Sequence, residues 1–106
     1  MSNEDICEVV ITGPSADWLA DFTRGLVDSR LAACGQNISP IRSIYRWQGE
    51  IAQGEEVPAL FKTRPMLERR LRERIAELHR YDLPVIETWP ASADTSVCDW
   101  VASETI

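Results

Sequence analysis

Soft metal donors are scarce in this 106-residue chain: His79 is its one histidine, and Cys7, Cys34 and Cys98 stand far apart with no C-x-x-C pair. Scattered thiols in odd number build neither a disulfide framework nor a structural zinc site, and they suit a reducing compartment. Catalytic signatures are missing too, with no G-x-S-x-G elbow, Walker loop or H-E-x-x-H pair. Basic residues number eleven against seventeen acidic ones, a net charge of −6. That balance argues against a general nucleic-acid binder and against a polybasic membrane-surface protein. No apolar run approaches the roughly 18 residues of a membrane span. The acidic start, Ser2-Asn3-Glu4-Asp5, is unlike a secretory signal, so the expected location is cytoplasmic.

What is present is an ordinary globular balance, 44% hydrophobic and 26% charged, without repeats, linkers or low-complexity tracts. A single domain over residues 1–106 is expected, with a modest core.

Alternating Cys7, Val9 and Ile11 predict a first strand, broken by Thr12-Gly13-Pro14. Ser15 then caps a helix with Leu19, Phe22 and Leu26 on one face, expected to end near Ala33 with Gly35 as its stop. Residues 38–47 read as a second strand bent by Pro40, Gln48-Gly49-Glu50 as a turn, and 51–62 as a third. Pro58 there points to an edge or a bulge. Pro65 opens a second helix whose buried stripe is Leu67, Leu71, Ile75 and Leu78. Residues 85–89 form a fourth strand, stopped by Pro90. A short terminal helix from Thr95 to Ser103 turns Val97, Trp100 and Val101 inward. The order β-α-β-β-α-β plus a helix predicts an α+β, ferredoxin-like sandwich with both main helices on one sheet face. Four tryptophans and several strand aromatics exceed what one small core takes in, so an assembly surface is expected on the other face.

Several segments resemble one family. Leu26 to Cys34, Ile44-Tyr45-Arg46-Trp47-Gln48-Gly49-Glu50-Ile51, Phe61-Lys62-Thr63 and His79-Arg80-Tyr81-Asp82-Leu83-Pro84 are similar to motifs of the CutA divalent-cation tolerance proteins, in the right order and spacing. Asp99-Trp100-Val101 resembles that family's terminal helix. The resemblance implies a homotrimer with strands pairing between subunits, binding of copper or another divalent cation, a role in metal tolerance, and no enzymatic activity. The chain departs from the family pattern at Gln48 and Glu50, at Arg80 in place of proline, and at Val85 in place of a glutamate.

Cys34, His79 and Tyr81 are the candidate metal residues, expected around one cleft. Cys34 is a soft ligand as a thiolate and a small buried hydrophobe otherwise. His79 either ligates a metal or caps the second helix, where the dipole also favours a protonated ring. Tyr81 walls the same cleft. One protomer has too few soft donors, so a complete site borrows ligands across a subunit boundary or from water. Core packing is the expected role of Cys7. Glu55 and Glu56 could collect cations, but neighbours on a strand face opposite ways. The other readings left open are a PII-like trimer that senses a small anion or nucleotide, and a structural trimer without ligand. For assembly, Tyr45, Trp47 and Trp89 are the expected apolar centre of the interface.

Overall fold

The alternation in the first segment becomes β1 (Glu4–Gly13), with Cys7, Val9 and Ile11 buried on one side and Glu8, Val10 and Thr12 turned to the other. The computed structural model describes residues 4–106. In it β1 is a central strand, antiparallel to β4 (Glu50–Thr63) on one edge and to β5 (Glu87–Ala93) on the other. β2 (Cys34–Asn37) lies beyond β4, giving the order β2-β4-β1-β5. β3 (Ile41–Trp47) pairs with the other half of β4.

Helix α1 (Ala16–Asp28) starts where Ser15 accepts the Trp18 N–H at 3.2 Å, as the cap pattern predicts. It ends at Asp28, short of the expected Ala33. Arg30, at φ 64°, reverses the chain, and Leu31 N–H returns to the Leu26 carbonyl. This is the left-handed terminator that glycine usually supplies. Gly35 falls inside β2 instead.

The strand expected over 38–47 is β3, shortened to Ile41–Trp47, and a further strand, β2, precedes it at Cys34–Asn37. Asn37 pairs with Ala59 and Ile41 with Glu56, so three residues, 38–40, oppose two, 57–58. The extra residue makes a bulge. Pro58 sits opposite it, accepting the Ile38 N–H at 2.9 Å, and its missing donor falls where the ladder is already broken. Past the bulge, β3 and the first half of β4 run out as a hairpin. Its two-residue loop, Gln48 (φ 51°) and Gly49 (φ 83°), has both residues left-handed, the turn that matches strand twist.

Pro65–Leu67 form a short 3-10 turn leading into α2 (Glu68–Leu78), with Leu67, Leu71 and Ile75 buried. Leu78, expected in that stripe, is 45% exposed because the helix ends there. β5 does not stop at Pro90 but runs on to Ala93. Pro90 pairs with Cys7, whose hydrogen-bonding groups point toward β4, so the proline nitrogen faces the open edge and removes no ladder bond.

α1 and α2 share a core with β1 and β4: Val9, Ile11, Leu19, Leu26, Ala59, Phe61, Leu71 and Ile75. Helix α3 (Thr95–Glu104) takes the opposite face, packing Cys98 and Val101 on Ile6, Ala33, Ala91 and Ala93. Val97 and Trp100, expected inward, are instead exposed. The rest of that face and the hairpin remain uncovered. The hairpin explains why the molecule measures 50 × 25 × 24 Å, with a radius of gyration of 14.7 Å. A chain of this length packed into a ball would have about 13 Å.

Candidate functional site

The site begins at the end of β1. Gly13 has no side chain, and the Trp18 ring fills that place; a Cβ there would lie 2.7 Å from the indole. Trp18 stacks on Phe22 at 4.6 Å, and both rings face His79, at 5.0 and 5.8 Å. His79 closes α2, its N–H returning to the Ile75 carbonyl at 2.9 Å, and the chain then turns extended.

Both nitrogens of the His79 ring are engaged. Tyr81 N–H donates to Nδ1 at 3.1 Å, so that nitrogen carries no proton. Nε2 therefore carries one and donates to the Thr12 carbonyl at 2.8 Å. This carbonyl needs a donor from outside the sheet. Thr12 lies opposite Pro58, whose carbonyl points to β2, so the polar backbone of Thr12 faces the β5 side. β5 begins only opposite Val10. The imidazole stands in for the missing strand.

Tyr81 carries the arrangement onward. Its ring is 4.6 Å from His79, and its hydroxyl bonds Glu56. Burial pushes the Tyr81 phenol up to about 12, reinforced by that carboxylate. Glu56 also accepts the Thr12 hydroxyl at 2.9 Å and the Ser43 hydroxyl. Burial works to raise the Glu56 carboxyl, but the hydroxyls of Ser43, Thr12 and Tyr81 that bond it hold it below its ordinary value. Four segments thus meet at one carboxylate: β1, β3, β4 and the loop after α2.

Cys34 lies elsewhere on the sheet. It pairs with Lys62, four residues along β4 from the Pro58 level of Thr12, about 13 Å at strand rise. Its neighbours are Lys62, which bonds Glu8 at 2.8 Å, and Glu8, which also accepts the Trp89 indole N–H at 2.9 Å. Burial pushes the Cys34 thiol up despite the Lys62 ammonium beside it, which disfavours the thiolate that binds metals. The structure therefore brings His79 and Tyr81 together and leaves Cys34 apart. Among the described residues no three His, Cys, Asp or Glu side chains converge on a possible metal position. Within one protomer the donor set does not fit a divalent cation: the imidazole lone pair is used, the carboxylate is taken up by hydroxyls, and the thiol is remote. Glu56, the centre of the polar cluster, is singled out in the sequence only as half of the acidic Glu55-Glu56 pair; its place beside Thr12, Ser43 and Tyr81 depends on the register of β4 against β1 and β3.

A five-stranded antiparallel α+β sandwich of ferredoxin-like order, with a projecting hairpin, defines the class of this protein. The family model of the CutA1 divalent ion tolerance protein matches residues 7–104, and the chain belongs to that family. It is 38% identical over 98 residues to the divalent-cation tolerance protein CutA of Thermus thermophilus, covering 92% of this chain and 95% of that one. Over 78 residues it is 41% identical to the Pyrococcus horikoshii protein of the same name, covering 74% of this chain and 76% of that one. The crystal structure of Pyrococcus horikoshii CutA1 superposes with a TM-score of 0.89 at 33% identity, over 94% of this chain and 98% of that one.

Proposed function

We propose that this protein serves divalent-cation tolerance as a non-enzymatic cytoplasmic homotrimer, meeting copper or a similar cation with donors gathered between subunits. The observation that carries the reading is the uncovered apolar surface. On the hairpin, Ile44, Tyr45, Trp47 and Ile51 are 66, 49, 43 and 72% exposed, and Trp89 on the uncovered sheet face is 42% exposed. So much aromatic and aliphatic area at open strand edges is what a second and third copy would bury. Family membership supports the tolerance role, and the lack of a three-donor cluster among the described residues of one protomer favours ligands shared across a boundary. The net charge of −6 favours cations over anions near the assembled surface. Light scattering with calorimetric titration of copper and zinc tests the reading. A mass three times the 12.0 kDa protomer with saturable cation binding supports it. A folded monomer, or a trimer that binds nucleotides and no cation, overturns it. Cell fractionation decides the compartment; the Archaeoglobus fulgidus relative is described as periplasmic.

A further inference from the structure

We propose that His79 is a positioning residue and not a cation ligand: its ring pins the base of the β3–β4 hairpin to the body of the sheet. The inference bears on the cation reading above, yet it stands on the ring's own geometry.

Three observations carry it. To bind a metal through Nε2, the ring must release the Thr12 carbonyl, which lies beyond the start of β5 and has no replacement donor there. To bind through Nδ1, it must displace the Tyr81 N–H, on which the placement of the Tyr81 ring depends. Around the ring stand Trp18, Phe22 and Tyr81, with centroids 4.6 to 5.8 Å away, so the approach is walled by apolar surface. Thr12 and Tyr81, the two residues the imidazole holds, are also two of the three that bond Glu56 on β4. The chain of contacts runs from α1 through the imidazole to Thr12 and Tyr81, then to Glu56 and Ser43 at the root of the hairpin. The ring thereby sets the angle at which the hairpin leaves the sheet.

Because the chain has one histidine, its imidazole gives a single set of nitrogen signals. Long-range proton–nitrogen NMR should show the tautomer with Nδ1 bare and Nε2 protonated, and excess zinc should leave both signals in place. Zinc-induced movement or loss of either signal would overturn the proposal. His79→Gln keeps a donor at the Nε2 position and offers no imidazole, whereas His79→Ala keeps neither. The expected result is a lower thermal midpoint and shifted Ser43 and Glu56 amide signals in His79→Ala. Substantial recovery in His79→Gln is expected, with zinc and copper affinities unchanged. A folded His79→Gln protein whose cation affinity drops by about tenfold or more, the size expected for a disturbed metal site, overturns the proposal. A wild-type protein that takes up no zinc or copper sinks the cation reading instead, and the tautomer pattern then decides the pin alone.

Discussion

Tyr81 joins two environments, its ring against the His79 imidazole and its hydroxyl on the Glu56 carboxylate. Its phenol is pushed up to about 12 from an ordinary 10, so the folded state holds that proton more tightly than the unfolded chain does. The stabilisation is complete below pH 10 and fades as pH rises through about 12. Denaturant unfolding followed from neutral to strongly alkaline pH should show this decline in the wild type, and Tyr81→Phe should flatten it. The H-x-Y motif makes His79 and Tyr81 readable as one cluster, and the bends from Arg80 to Leu83 fold the Tyr81 N–H back onto the imidazole. Cys34 joins them in the sequence reading because it matches the family's motifs and follows a helix expected to end near Ala33. Once Arg30 ends the helix early, Cys34 moves onto β2 and out of reach.

Arg30 shows how a single residue governs two elements. Its left-handed backbone ends α1, while its guanidinium donates to the Ser103 and Glu104 carbonyls at 2.9 and 3.3 Å, closing the end of α3. Its own carbonyl accepts the Ile106 N–H at 3.0 Å. Arg30→Ala loses the guanidinium bonds and retains the backbone strain, with an expected loss of about 2 kcal/mol. Arg30→Gly loses the same bonds and relieves the strain, so it should be the more stable variant by about 1 kcal/mol. Thermal unfolding of the pair measures the difference. Helix and strand periodicity made most elements readable in advance, including β1, α2 and the hairpin turn. The prolines misled at β5, because tolerance of Pro90 depends on which edge its nitrogen faces, and that is fixed only by pairing. Pro40 and Pro58 do signal a bend and a bulge at this place, but the register that divides β2 from β3 is a property of the paired strands and is fixed only by pairing.

The whole molecule is a sandwich with an apolar arm. Trp47, which pairs with Glu50 at the arm's turn, is 43% exposed in one protomer. Trp47→Glu places a charge at the tip and should leave a protomer of 12.0 kDa by light scattering, with lower solubility and a reduced unfolding midpoint. The arm also has a consequence in time. Its strands close across two residues, a local event of microseconds, but among the described residues no helix or other strand covers it. The sandwich should form first at a rate independent of protein concentration, with the arm left fraying in solution. Its final ordering should wait for encounters with other copies. Refolding from denaturant should therefore show a fast phase that ignores dilution, and a slow one, reported by Trp47 fluorescence, that lengthens as the protein is diluted.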